Sequence, residues 1–115
     1  MPCAIVESNV NLDVPKAKAF INDVSKTLAK TIGKPEAYCM AGYNHNIAML
    51  MGGSDLPCAF INLSSIGNIN AQNNSIVSKA LSEVCTKHLE VPADRVYINF
   101  NDVKSFNWGY NGSTF

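Results

Sequence analysis

The chain has 115 residues, of which 47% are hydrophobic and 16% charged, and its 9 Lys and Arg residues balance 9 Asp and Glu residues. A chain of this length and composition can bury a core, which excludes an intrinsically disordered protein and predicts one globular domain. With zero net charge and a single arginine, Arg95, it has no basic surface for phosphates, so we expect no nucleic-acid partner.

Neither a membrane span nor a targeting segment is apparent in the sequence. No apolar run approaches the roughly 20 residues that cross a bilayer, so no membrane insertion is expected. Residues 1–11 lack a basic region followed by a hydrophobic stretch, which predicts a cytoplasmic protein without a signal peptide.

Four cysteines lie far apart in apolar segments, a distribution typical of reduced, buried thiols rather than of a disulfide framework. They are Cys3, Cys39, Cys58 and Cys85. No pair has the C-x-x-C spacing of a zinc site, and the only two histidines add no paired ligand. We therefore expect neither a metal nor another cofactor.

The first elements predicted are a strand and a helix. Residues 3–6 form a short apolar run typical of a strand buried on both faces. Apolar residues then recur every three or four positions over residues 17–32, which indicates one buried helical face. Asp13 is the expected N-cap of this helix, and Gly33, followed by Pro35, is the expected left-handed residue at its end.

Three further strands are predicted in the middle of the chain. Residues 38–43 form the first, and the apolar run 47–51 forms a second that ends at the glycine pair 52–53. Residues 57–63 are predicted to form the third strand. Each run has the length and apolar character of a short strand bounded by turn residues.

The second half of the chain predicts a helix that ends before Pro92, with capping side chains in residues 73–75. Its expected inward face consists of Val77, Ala80 or Leu81, Val84, and His88 or Leu89. Strict alternation over residues 96–100 then predicts a strand that carries Tyr97 and Asn99 on one face and apolar residues on the other.

The two halves repeat one pattern at an offset of 57 residues, the separation of Pro35 and Pro92. The predicted fold is α+β, with two βαβ repeats at about 1–57 and 58–115 forming one four-stranded mixed sheet with both helices on one face. The opposite face is expected to be apolar and uncovered. Such a face, with open sheet edges, predicts a closed homo-oligomer.

Six short motifs occur in order along the chain. They are Met1-Pro2, Gly33-Lys34-Pro35, Gly52-Gly53-Ser54 with Pro57-Cys58-Ala59, Ser65-Ile66-Gly67, residues 94–99 and residues 111–115. Together they resemble the macrophage migration inhibitory factor family of the tautomerase superfamily from end to end. The resemblance implies a doubled βαβ unit assembled as a homotrimer, in agreement with the repeat.

The resemblance also implies an activity, the keto–enol tautomerisation of phenylpyruvate-like and dopachrome-like substrates in a cytokine-like protein. Removal of the initiator methionine would leave Pro2 with a free secondary amine as the catalytic base. A terminal amine has an ordinary pKa of about 7.7–8.0, and an apolar pocket with a nearby ammonium lowers that pKa. The amine is then neutral near physiological pH and accepts a proton.

The same resemblance implies roles for several other residues in binding a small aromatic keto or enol acid. Lys34 would bind the substrate carboxylate, the backbone N–H of Ile66 would donate beside it, and Asn99 would come from a neighbouring subunit. Tyr97 shares the strand face of Asn99, so both are expected to reach one cleft. The residues expected to pack around the substrate ring are Tyr38, Tyr110 and Phe115.

The residues by themselves also allow plainer roles. Lys34 suits the negative end of a helix dipole. Tyr97 and Asn99 suit a solvated strand face. Trp108 and Phe115 suit ordinary packing or an interface as well as substrate contact.

Two other functions stay open beside catalysis. The first is a secreted protein that binds a cell-surface receptor, the class II invariant chain, and retains only vestigial catalysis. Export would then follow a route without a signal peptide, as the resemblance implies. The second is a pocket that binds a metabolite without turnover.

Overall fold

The computed structural model describes residues 1–115. Its elements are β1 (Cys3–Ser8), α1 (Val14–Leu28), β2 (Met40–His45), β3 (Ala59–Ser65), α2 (Ala71–Leu89), β4 (Val96–Asp102), β5 (Gly109–Tyr110) and β6 (Ser113–Thr114). Four strands form one mixed sheet in the order β2-β1-β3-β4, and β5 pairs with β6. Within each half the strands are parallel, while β1 and β3 are antiparallel. The predicted α+β fold built from two βαβ units is confirmed.

Both helices lie on one face of the sheet because alternate residues of the central strands are apolar and buried there. Val6 of β1 and Ile61 of β3 are opposite one another in the register and are fully buried. The helix residues that pack on this face are Phe20, Val24 and Leu28 of α1 with Val77, Leu81 and Cys85 of α2. All belong to one cluster of 15 buried residues, which is the core of the chain.

The two ends of α1 follow the sequence prediction. The Asp13 side chain accepts a hydrogen bond from the backbone N–H of Lys16 at 2.9 Å. The helix ends in a π-helical turn, Ala29–Gly33, whose last residue has a φ of +76°, which glycine adopts without strain. The chain then reverses, so that Lys34 precedes β2 at the end of the sheet where β1 also begins.

The start of α2 differs from the prediction. Its N-cap is Asn70, whose side chain accepts a hydrogen bond from the backbone N–H of Asn73 at 2.9 Å. The expected caps at residues 73–75 instead lie inside the first turn. Asn70 and residues 73–75 all have side chains that can cap a helix. Asn70 is the cap because its backbone is extended, with φ −157°, immediately before the helix begins.

The strand predicted at residues 47–51 is absent, and this prediction is wrong. Only an isolated bridge between Met51 and Ser54 is present, around two glycines in the left-handed region. Ile47 is 94% exposed and Leu50 is 68% exposed. The apolar run fails to become a strand because no strand of its own chain lies beside it.

The strand predicted at residues 38–43 begins later, at Met40, because Tyr38 ends a short 3-10 turn, Glu36–Tyr38. This turn follows Pro35, whose extended backbone starts it. Tyr38 is therefore set off from the sheet and is exposed.

The uncovered face of the sheet is mixed rather than apolar, which corrects the expectation. Its apolar residues include Ile5 and Phe60, while Asn62, Asn99 and Asn101 form a polar stripe along β3 and β4. Asn101 donates a hydrogen bond to the side-chain oxygen of Asn62 at 2.8 Å. Cross-strand amide pairing of this kind keeps asparagines stable on a sheet without burying them.

All four cysteines are free, but only Cys58 and Cys85 are buried, whereas Cys3 and Cys39, which were also expected to be buried, are partly exposed. Burial raises the pKa of the Cys85 thiol to about 12. Neither helix combines the length and the apolar character that a membrane crossing requires.

Candidate active site

A pocket of about 380 Å³ lies where β1 begins, and nine of its eleven lining residues are hydrophobic. Its lining includes the N-terminal residues Met1 and Pro2 and the aromatic residues Tyr38, Trp108, Tyr110 and Phe115. Larger concavities lie between α1 and β2 and along α2, but neither is lined by Pro2 or by the C-terminal aromatic residues. The pocket at β1 combines the terminal amine with several aromatic rings, and the charge of Lys34 acts on that amine.

Parallel pairing of β1 with β2 places the N-terminus in this pocket. The backbone N–H of Met40 donates to the carbonyl oxygen of Pro2 at 3.0 Å, and the register then aligns Cys3 with Met40. Pro2 is fully buried. Its ring and its nitrogen are thereby fixed at the base of the strand rather than free in a flexible tail.

The aromatic wall comes from two distant parts of the chain. Tyr38 lies in the turn before β2, and the hairpin of β5 and β6 brings Tyr110 and Phe115 beside it. The rings of Tyr110 and Phe115 are stacked, with centroids 5.0 Å apart and planes 10° apart. Tyr38 meets Tyr110 edge to face at 6.2 Å. The predicted trio of aromatic residues therefore forms one cluster.

The hairpin that carries Tyr110 and Phe115 is favoured by the residues of its turn. Its turn residues, Asn111 and Gly112, have φ values of 52° and 76°, which a two-residue hairpin turn of this hand requires. Asparagine and glycine are the residues that adopt such angles most readily. The backbone N–H of Phe115 donates to the carbonyl of Trp108 at 3.2 Å and fixes the end of the hairpin.

The electrostatics of the pocket favour a neutral amine. Burial, followed by the ammonium of Lys34, lowers the pKa of the terminal amine of Met1. Lys34 is half-buried and forms no salt bridge, while the nearby Glu36 carboxylate pairs with Lys26 at 3.7 Å. Lys34 thus retains an uncompensated positive charge beside the terminus.

The two thiols in the pocket do not provide a nucleophile. Burial raises the pKa of both Cys3 and Cys39, and the Glu36 carboxylate raises the pKa of Cys39 further. Both thiols are therefore protonated near neutral pH, and a protonated thiol is a poor nucleophile. The amine is the basic group that this pocket offers.

Not all of the predicted residues meet in a single chain. Pro2, Tyr38, Tyr110 and Phe115 line the pocket, and Lys34 lies beside the terminus. Three others lie outside the pocket lining. Ile66 is half-buried just after β3, whereas Tyr97 and Asn99 are exposed on the uncovered face of the edge strand β4.

One residue of the site region, Asn68, was missed by sequence reasoning. Asn68 has a left-handed backbone, φ +60°, and its side chain donates to the carbonyl of Ile32 at 2.8 Å. The Gly67-Asn68 pair ahead of a helix is a turn signal that pointed to this position. Trp108, left open between packing and substrate contact, lies in the pocket lining.

Fold and site together define a doubled βαβ protein whose N-terminus lies in an aromatic pocket beside a lysine. A family model described as "Macrophage migration inhibitory factor (MIF)" matches residues 1–115. The macrophage migration inhibitory factor of Xenopus tropicalis is 43% identical over 115 residues, covering all of this chain and 99% of the relative. That of Mus musculus is 38% identical over 116 residues, with the same coverage.

A solved structure gives the same result in three dimensions. The macrophage migration inhibitory factor of Toxoplasma gondii superposes with a TM-score of 0.95 at 35% identity, covering 98% of this chain and 99% of that one. The chain belongs to the macrophage migration inhibitory factor family.

Proposed function

We propose that the protein is a keto–enol tautomerase for phenylpyruvate-like and dopachrome-like substrates, with Pro2 as the general base after removal of Met1. The observation that carries this proposal is the position of the Met1 terminal amine in an apolar pocket. Burial there and the ammonium of Lys34 lower the pKa of this amine. Membership of the family is the second support.

Removal of Met1 moves the terminal amine one residue inward, onto the nitrogen of the fully buried Pro2. Deeper burial disfavours the charged form further, so the pKa of the secondary amine should fall and its neutral form is favoured. In ketonisation this amine accepts the proton of the enol hydroxyl as the carbonyl forms. The resulting ammonium returns a proton to the adjacent carbon, so the base is regenerated and no electron is transferred.

The other groups of the pocket bind and orient the substrate. Lys34 has no competing carboxylate partner and binds the carboxylate of the keto acid. Tyr38, Tyr110 and Phe115 pack on the aromatic ring and exclude water. Exclusion of water strengthens the attraction between the lysine and the carboxylate.

The complete site requires a homotrimer in this proposal. Tyr97 is 66% exposed on the edge strand β4, and Asn99 lies on the same face, free to reach a neighbouring pocket. The apolar residues Ile47 and Leu50 are exposed on the loop beyond the sheet edge, where a neighbour would cover them. The backbone N–H of Ile66 then donates beside Lys34 to the same substrate. Sedimentation equilibrium should give the mass of three chains, and a monomer would contradict this part.

The test of the base uses Pro2→Gly, with the mature N-terminus of every sample verified by mass spectrometry. Pro2→Gly leaves a terminal amine but makes it primary and frees its backbone, so only part of the roughly 10²–10⁴-fold contribution of acid–base catalysis is lost, and kcat/KM for phenylpyruvate should fall by at least about tenfold. Pro15→Ala, at an exposed position in the first turn of α1, is the matched control and should retain wild-type kcat/KM. A folded, processed Pro2→Gly protein with wild-type kcat/KM contradicts the mechanism.

A second role is favoured by the name of the relatives, macrophage migration inhibitory factor, which describes an action on cells. We propose that the protein also leaves the cytoplasm without a signal peptide and binds a cell-surface receptor, the class II invariant chain. Detection of the protein outside intact cells and binding to the purified receptor domain would support this role. Absence of binding at micromolar concentration would exclude this receptor.

A further inference from the structure

The loop that carries Ile66 is tied directly to the segment that carries Lys34. The side-chain amide of Asn68, two residues after Ile66, donates to the carbonyl oxygen of Ile32, two residues before Lys34, at 2.8 Å. Ile32 is buried in the π-helical turn that ends α1. One amide therefore joins the two parts of the chain that the proposed carboxylate site uses.

Asn68 is itself held in place from α2. Its carbonyl accepts a hydrogen bond from the side chain of Asn73 at 3.2 Å, and the backbone N–H of Asn73 donates to the N-cap Asn70. Its φ of +60° aims the side chain back across the loop, a conformation that asparagine tolerates better than most residues. These hydrogen bonds to the start of α2 fix the position of Asn68.

Lys34 depends on such an anchor. The residue between it and Ile32 is Gly33, which is exposed and whose added side chain would meet no atom within 4 Å, so no packing confines this residue. Lys34 has no salt bridge to orient it. The carbonyl of Ile32 accepts the Asn68 hydrogen bond two residues before Lys34, and on the other side the thiol of Cys39 donates to the carbonyl of Pro35 at 3.6 Å.

We infer that Asn68 is a positioning residue that fixes Lys34 relative to the backbone N–H of Ile66, so that both meet the carboxylate of one substrate. The inference rests on the proposed function of the pocket and deepens it. Asn68 does not touch the reacting atoms and acts through Lys34.

The test compares Asn68→Gly with the wild-type protein, both with Met1 removed. Glycine retains the left-handed backbone and deletes only the amide. The KM for phenylpyruvate should rise by about threefold to tenfold, while kcat changes less than about twofold, because only a charged hydrogen bond to the carboxylate is weakened. The preference for phenylpyruvate over its methyl ester should fall by the same factor, since the ester lacks the carboxylate.

Two comparisons separate positioning from a loss of stability. In a Lys34→Ala background, Asn68→Gly should produce no further change in KM, because the residue through which it acts is gone. Asp13→Ala removes the N-cap of α1, which has no contact with this loop, and should lower stability while leaving KM and ester discrimination unchanged. An unchanged KM in Asn68→Gly, or an equal effect in both backgrounds, overturns the inference.

Amide hydrogen exchange gives a readout that does not depend on turnover. Exchange at Gly33 and Lys34 should be faster in Asn68→Gly than in either the wild-type protein or Asp13→Ala. If the wild-type protein fails to convert phenylpyruvate, the proposed function is wrong, and exchange still decides whether Asn68 anchors this segment. Unchanged exchange contradicts the anchoring.

Discussion

The two halves of the chain have the same architecture but use it differently. At the offset of 57 residues, four buried positions of the first helix, Phe20, Val24, Leu28 and Ile32, correspond to Val77, Leu81, Cys85 and Leu89, which are also buried. The left-handed residue after the first helix, Gly33, corresponds to the left-handed Glu90. The two helices therefore contribute equivalent positions to the core.

The difference lies in the turn between helix and strand. In the first half this turn supplies Tyr38 to the pocket lining and places Lys34 near the terminal amine. At the same offset the second half has the fully buried Val91 and the residue Arg95, whose guanidinium donates to carbonyls of the loop before β3. In the proposed function the first turn serves binding, whereas the second turn holds the loop before β3, so equivalent turns differ in what they contact.

The largest expected effect tests the shared core. Phe20→Ala should lower the free energy of unfolding by about 3–5 kcal/mol, because Phe20 is fully buried and contacts both Tyr43 and His88. The equivalent change in the second half, Val77→Ala, removes fewer buried carbons and should cost about 2 kcal/mol. Urea denaturation measures both, and equal losses would contradict the asymmetry.

Exchanging the residues of the two turns tests the difference directly. Lys34→Val introduces the residue that the second half carries at this position, and KM for phenylpyruvate should rise by about 10- to 100-fold through loss of the charged hydrogen bond. Lys30→Val, on the preceding turn, is the control and should leave KM unchanged. A wild-type KM in Lys34→Val would mean that another cation binds the carboxylate.

The pH dependence of the same variant provides a second readout. The base must be neutral, so kcat/KM should rise as pH increases through the pKa of the Pro2 amine, which we expect to be lowered as the pKa of the Met1 amine is. The ammonium of Lys34 contributes to this lowering. The midpoint of the profile should therefore move to higher pH in Lys34→Val, and a midpoint that does not move contradicts this electrostatic role.

A smaller effect is expected from the hydrogen bonds that Arg95 donates to the loop before β3. Arg95 donates from Nε to the carbonyl of Pro57 at 2.9 Å and from Nη2 to that of Leu56 at 3.0 Å. Arg95→Lys loses this planar fork and should cost about 1–2 kcal/mol of unfolding free energy. Limited proteolysis should show new cleavage within residues 46–57. Unchanged cleavage would show that the loop is held by other contacts.

The smallest effect concerns the left-handed residues. Glu90→Gly should stabilise the protein by about 0.5–1 kcal/mol, because glycine adopts a φ of 56° without strain. The reverse exchange in the first half, Gly33→Ala, should destabilise it by a similar amount. Thermal denaturation of both variants checks the pair, and shifts of the same sign would contradict it.

Much of the fold was predictable because it depends on local chemistry. The caps at Asp13 and Gly33 and the alternation in β4 follow from short-range preferences, and they agree with the structure. The cap of α2 was missed because Asn70 and residues 73–75 offer equivalent side chains. The strand at residues 47–51 was wrong because its apolar pattern finds no partner within one chain.

The candidate site was less accessible to sequence reasoning. The position of Pro2 beside Tyr38 requires the parallel pairing of β1 with β2, which joins residues far apart in sequence. The roles of Lys34 and the aromatic residues came from the family resemblance. Asn68 resembles any loop asparagine until its partner, the carbonyl of Ile32, is located.

The most direct test of the account is the rate of phenylpyruvate ketonisation by two samples of the wild-type sequence, one beginning at Pro2 and one retaining Met1. Mass spectrometry verifies each N-terminus. We predict turnover by the sample that begins at Pro2 and none by the sample with Met1, in which the nitrogen of Pro2 is an amide and cannot accept a proton. Equal rates in the two samples would contradict the assignment of Pro2 as the base.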